Sequence, residues 1–174
     1  VNRIQVCGEM VHDLTFSPDG RLGLSVCGRH LKVFDPRNGS LYHNLKGHKM
    51  RLFGDKACNG TTISVSVSPD GRQALTGGDD GAICVWDLGK GRLSQRLEGH
   101  QGHGGGKILG AGSVDVVQVF NNGRYAVSGG NDFTIRVWDL RMGECQQTMD
   151  TGGRVEHVAL TSDDRFVFST GEDA

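Results

Sequence analysis

Two stretches of the chain place a histidine, a hydroxyl, an aspartate and a tryptophan at matching intervals: His48, Thr76, Asp80 and Trp86, then His100, Ser128, Asp132 and Trp138. In both, the hydroxyl precedes its Asp by four residues and the Asp precedes its Trp by six. Serine, histidine and aspartate are the parts of an acyl-transfer site, where imidazole takes the hydroxyl proton and the carboxylate orients the imidazole. Two features oppose that chemistry here. The set occurs twice, which one active site would not require, and no serine stands in a G-x-S-x-G nucleophile turn.

Other candidate chemistry fails in detail. The run 102–107 (GHGGGK) approaches a phosphate loop, but Gln101 stands where the first glycine of G-x-x-x-x-G-K belongs and Ile108 where the magnesium-binding hydroxyl belongs. His100 and His103 are three apart without a Cys or carboxylate cluster to complete a metal site. Asp79-Asp80 and Asn131-Asp132 read as turn residues before they read as calcium ligands. No cofactor and no metal are expected. The glycosylation acceptors at Asn38 and Asn59 are short enough to arise by chance, and the first lies on an Asn-Gly turn.

The elements that must position these residues are short strands. Of 174 residues 28 are glycine, more than twice the usual share of roughly 7%, and 3 are proline. The glycines follow no three-residue period and the apolar residues recur in patterned runs, so neither collagen nor a linker is described and the glycines are read as turn markers. With 19 Lys and Arg against 20 Asp and Glu, net charge is −1, which gives no electrostatic footprint for nucleic acid or an anionic membrane. No run approaches the roughly 20 apolar residues of a membrane span. Five scattered cysteines without a C-x-x-C pair suggest neither zinc nor a disulfide framework, and so a reducing compartment: the cytoplasm, with the nucleus as the alternative.

Four segments superimpose: 11–20 (VHDLTFSPDG), 62–71 (TISVSVSPDG), 114–123 (VDVVQVFNNG) and 155–164 (VEHVALTSDD). Beyond the first three lie Phe34-Asp35, Trp86-Asp87 and Trp138-Asp139, each 52 residues from the next. Within a unit, period-2 runs such as Val65/Val67 and Ile83/Val85 alternate with glycine-rich turns, giving four antiparallel strands. The last of them are 41–45, 93–97 and 145–149, and no window has useful helical periodicity.

This pattern resembles the WD40 family, whose four-stranded blades build β-propellers. The resemblance spans essentially the whole chain and rests on Ser17–Gly20, Ser68–Gly71, Gly47-His48, Gly99-His100, Trp86-Asp87 and Trp138-Asp139. It implies an all-β propeller segment of about four blades, and it implies that the two sets above are structural tetrads. In such a tetrad the indole donates to the hydroxyl, the hydroxyl to one imidazole nitrogen, and the other ring N–H to the carboxylate. The expected units are an outer strand of a preceding blade at 1–8, blade 1 at 9–47, blade 2 at 48–98, blade 3 at 99–150, and a truncated blade 4 at 151–174. Blade 1 has Phe34 for Trp and no acidic residue at 25–30, so its tetrad is absent; blade 4 retains Ser169 and Asp173 but lacks Gly-His. An arc of blades leaves faces uncovered and is expected to self-associate unless further blades of the same chain close it.

Both long units carry extra residues between the outer strand of one blade and the inner strand of the next, at 48–60 and 100–112. The family resemblance puts these D–A loops on the top face. Loops on a rigid scaffold are where binding residues concentrate. Arg51, Leu52, Phe53 and Lys56 in the first, and Lys107, Ile108 and Leu109 in the second, are the candidate partner-binding residues; an inert insertion is the alternative. The function expected is a non-catalytic scaffold presenting its top face to partner proteins in a larger assembly. The competing readings are a propeller segment of a multidomain NTPase-type signalling protein, and an enzyme or nucleic-acid binder using the propeller face. Against the last two, the inner strands align no acid–base pair and the loops cluster no basic residues.

Overall fold

A computed structural model of the chain describes residues 8–49, 51–53, 56–58, 60–101 and 112–172, with backbone only for 51–53, 56–58 and 172. Sixteen strands and no helix are present among them. The first sheet is β1 (Val11–Phe16), β2 (Gly23–Cys27), β3 (His30–Phe34) and β4 (Leu41–Lys46), hydrogen-bonded in chain order. After a hairpin of β5 (Arg51–Phe53) and β6 (Lys56–Cys58), the second sheet is β7 (Thr62–Val67), β8 (Gln73–Gly78), β9 (Ala82–Asp87) and β10 (Arg92–Glu98). The third is β11 (Val114–Val119), β12 (Tyr125–Gly130), β13 (Thr134–Asp139) and β14 (Glu144–Asp150), and β15 (Arg154–Leu160) pairs with β16 (Val167–Glu172). All pairings are antiparallel, as the turn spacing requires.

The turns explain why the strands stop where they do. In the first sheet Ser17 Oγ donates to Asp19 Oδ1 at 2.6 Å, Asp19 accepts the Arg21 N–H at 3.0 Å, and Gly20 takes φ 69°. Ser68, Asp70 and Gly71 repeat this arrangement at 2.6 Å and 3.0 Å with φ 68°. In the last unit Asp164 replaces the glycine and holds φ 59° itself. Its carboxylate accepts the backbone N–H groups of Asn121 and Asn122, each at 2.8 Å, and so ties this turn to the one in the third sheet.

The core lies between sheets. Along β8, Ala74 packs toward the first sheet with Leu24, Val26 and Val33, while Leu75 packs toward the third with Val117 and Ala126. Along β9, Cys84 and Trp86 face one way and Ile83 and Val85 the other. Period 2 thus survives in β8 and β9, but both faces are apolar because each is covered by a neighbouring sheet. The outer strands β4, β10 and β14 are mostly exposed. At the two ends of the arc, Leu14, Phe16, Phe166 and Phe168 are all more than half exposed.

Two sequence expectations change. The glycines that follow the strand-B hydroxyl lie inside strands, where sheets approach closely. A Cβ on Gly77 would come within 2.7 Å of both the Val114 side chain and its carbonyl, and one on Gly129 would overlap Val155. They are packing glycines rather than turn markers. Cys27 is disulfide-bonded, where the spacing had suggested no disulfide; its partner is not among the described side chains, and Cys84 and Cys145 are free.

Candidate functional site: buried tetrads and the loops rooted on them

Each set of four residues is assembled from one strand end, two strands and a turn. His48 follows β4, Thr76 sits in β8, Asp80 in the β8–β9 turn and Trp86 in β9. The Trp86 indole N–H donates to Thr76 Oγ1 at 3.0 Å, His48 Nε2 lies 2.9 Å from the same oxygen, and His48 Nδ1 lies 2.8 Å from Asp80 Oδ1. In the third sheet the Trp138 N–H donates to Ser128 Oγ at 2.8 Å, His100 Nε2 is 2.7 Å from that oxygen, and His100 Nδ1 is 2.9 Å from Asp132 Oδ1. No member is more than 4% exposed. Both hydroxyls are buried, and each hydroxyl oxygen is already engaged by an indole and an imidazole.

Charge differs between the two. Asp80 Oδ2 also receives Arg96 of β10 at 2.6 Å, whereas in the third sheet Thr148 holds that place and Arg136, at the position of Cys84 on β13, stands 3.9 Å from Asp132, which takes the Thr134 hydroxyl at 2.8 Å. Burial pulls the His48 imidazole down, but the hydrogen bond to Asp80, the Cys84 sulfur and the Asp80 charge outweigh it and raise its pKa to about 9. Burial pushes Asp80 up, yet the His48 and Arg96 contacts and the Lys49 N–H hold it well below the usual carboxylate range. While His48 is protonated, both lone pairs of Thr76 Oγ1 accept, one from Nε2–H and one from the indole. When it is neutral, the hydroxyl donates to Nε2 and the chain still closes.

The first sheet offers no indole: Phe34 fills that place, and a phenyl ring has no N–H to donate. Its Asp35 is instead paired with Arg37 at 2.6 Å and accepts from the Tyr42 hydroxyl at 3.2 Å. In the last unit Ser169 lies on β16, and Asp173 is outside the described residues.

The tetrad carboxylates do a second job. Asp80 Oδ2 accepts the backbone N–H of Lys49 at 2.7 Å, and Asp132 Oδ2 that of Gln101 at 3.1 Å. These are the first residues after each tetrad histidine, where the long loops begin. The loops return to the same place. A Cβ on Gly60 would lie 3.1 Å from the His48 carbonyl, and one on Gly112 would overlap the His100 carbonyl, with φ 68° and 85° at the two glycines. Each insertion therefore leaves and re-enters the sheet at one point beside its tetrad. Arg51, Leu52, Phe53 and Lys56 fall on the β5–β6 hairpin, where Leu52 pairs with Ala57 and Phe53 with Lys56, so a hairpin stands where sequence reading expected an irregular loop. Lys107, Ile108 and Leu109 lie outside the described residues.

Repeated four-stranded sheets with this turn chemistry match the WD domain, G-beta repeat family at residues 39–87 and 91–139. The chain belongs to the WD40 family. It is 27% identical over 163 residues to autophagy-related protein 16 of Arabidopsis thaliana, covering 94% of this chain and 28% of that protein. It is 32% identical over 103 residues to the small ribosomal subunit protein RACK1 of Glycine max, covering 59% and 25%. It is 26% identical over 110 residues to cilia- and flagella-associated protein 52 of Homo sapiens, covering 63% and 16%. The chain thus spans between 16% and 28% of the length of these curated relatives. The family assignment also makes the 52-residue spacing intelligible: it is a WD40 repeat lengthened by one inserted loop.

Proposed function

We propose that this WD40 segment is a non-catalytic scaffold that presents its top-face loops to partner proteins within a larger assembly. In this reading the two tetrads are structural. The observation that supports it most strongly is the double use of Asp80, which holds the buried His48 with one oxygen and the root of the first long loop with the other. A loop fixed at both ends to a closed, rigid network is held ready to meet a partner at small ordering cost. One relative is named as a protein of the small ribosomal subunit, consistent with a WD40 protein serving as a component of an assembly.

The partner-contacting residues proposed are Arg51, Leu52, Phe53 and Lys56, with Lys107, Ile108 and Leu109 from the second loop. The apolar faces carrying Leu14, Phe16, Phe166 and Phe168 are proposed to be covered by further blades of the same chain. The test is affinity capture from cell extract with wild-type protein and with Leu52→Ala/Phe53→Ala. Loss of bound proteins from the variant, at an unchanged melting temperature, is the expected result. An unchanged set of bound proteins would sink the loop assignment.

A further inference from the structure

At the end of the second and third sheets opposite the long loops, the turns enclose a cleft of about 540 Å³ lined by Asp70, Arg72, Gln73, Asp87, Leu140 and Arg141. Comparing the two repeats shows why its arginines are available. Arg72 and Arg124 occupy the same position 52 residues apart, each just after a turn glycine, and Asp87 and Asp139 likewise follow the two tryptophans. In the third sheet Arg124 is taken by Asp139, with Nε at 3.0 Å and Nη2 at 2.8 Å. In the second sheet Asp87 is taken instead by Lys90, through its backbone N–H at 2.9 Å and its Nζ at 3.4 Å. Lys90 stands where the third sheet has Met142.

Arg72 makes no such pair with Asp87. Arg141 stands where the second sheet has Gly89, and its backbone N–H goes to Asp139 Oδ1 at 2.8 Å. Among the described residues neither the Arg72 nor the Arg141 guanidinium makes an ion pair or a side-chain hydrogen bond, and both residues are exposed. The acids of the cleft are already engaged: Asp70 accepts Ser68 Oγ at 2.6 Å and the Arg72 N–H at 3.0 Å, and Asp87 has Lys90.

We propose that this cleft binds a short acidic segment of another protein, with one side-chain carboxylate taken by Arg72 and a second by Arg141. A planar guanidinium with free N–H groups matches a carboxylate in a bidentate pair. The volume falls within the range of small-ligand sites, enough for a few residues of extended chain. A continuous polyanion is disfavoured, because Asp70 and Asp87 line the same cleft and would repel a phosphate backbone. The site is separate from the long loops, so it stands or falls independently of the scaffold reading.

Fluorescence anisotropy of a fluorescein-labelled Gly-Glu-Gly-Glu-Gly peptide, titrated with the whole chain at low salt, tests this. Arg72→Ala/Arg141→Ala should weaken binding at least about tenfold, the loss expected for two charge-assisted pairs. Arg21→Ala removes a charge at the equivalent position in the first sheet, outside the cleft, and should stay within twofold of wild type. Lys90→Met should also weaken binding, by freeing Asp87 to take Arg72. Melting curves of all variants serve as the folding check. Equal losses from Arg21→Ala, or no saturable binding to the wild-type chain, would overturn the proposal.

Discussion

Asp80 accepts the backbone N–H of Lys49 at 2.7 Å, across 31 positions of sequence, while its other oxygen holds His48 at 2.8 Å. A single buried carboxylate thus ties the root of an inserted loop to the interior of the sheet. Arg96, at 2.6 Å, supplies a further cation.

Removing that carboxylate leaves the buried His48 without its acid and Arg96 with Glu98 alone, at 2.9 Å. Asp80→Ala should lower stability by about 3–5 kcal/mol, the range for breaking a buried ion pair from one side. The check is a urea denaturation midpoint, and amide exchange at Lys49 should accelerate well beyond that of the β9 amides. A variant with a native midpoint would show that the carboxylate is dispensable.

The pH dependence has a definite sign. His48, raised from 6.5 to about 9, binds its proton more tightly when folded, so its contribution is complete below pH 6.5 and is lost as pH rises through about 9. Asp80 is lowered from 3.8, so its contribution is present above that value and is lost as pH falls through the folded value. The histidine contribution amounts to roughly 3 kcal/mol at about 1.4 kcal/mol per pKa unit. Urea midpoints should therefore fall between pH 6.5 and 9.5, and His48→Gln should flatten that limb. Parallel slopes in the two proteins would contradict the assignment.

Thr76 is the shared acceptor of Trp86 and His48. Thr76→Val keeps the shape and removes the oxygen, leaving two buried polar groups unpartnered at about 1–3 kcal/mol each. A loss of about 2–5 kcal/mol in calorimetric or urea stability is expected, and a near-neutral result would mean that water or another group replaces the hydroxyl.

The four strands of each complete sheet, the turns between them and the all-β class were legible because period-2 runs and Asp-Gly turns are local properties of sequence. The family resemblance, with the four-residue and six-residue steps recurring in both repeats, picked out the eight side chains that the fold brings within hydrogen-bond distance. What spacing does not encode is approach between sheets. The recurring irregularities at Val11/Asp13, Thr62/Ser64, Val114/Val116 and Val155/His157 left no compositional mark. Arg96 reads as an ordinary outer-strand cation until its guanidinium is seen beside Asp80, and Cys27 reads as a scattered thiol until tertiary contact supplies a partner. The β5–β6 hairpin was missed because three-residue strands are too short to show periodicity.

Gly77 illustrates the same point as a prediction. Gly77→Ala pushes a methyl against the Val114 carbonyl as well as its side chain, and backbone cannot rotate away, so about 2–3 kcal/mol should be lost. Gly89→Ala meets only Asp87 Oδ1 at 3.5 Å and should stay within about 0.5 kcal/mol of wild type. Thermal melts of the two variants side by side decide it.

The central claim is that partners are met at the loops rooted on the tetrads. Site-specific photo-crosslinking in cell extract tests it most directly, with the photoreactive group at Phe53 and, as control, at Ser94, which is exposed on outer strand β10. Discrete crosslinked proteins from position 53 and none from position 94 are predicted. Crosslinks from position 94 alone, or identical patterns from both, would contradict the account.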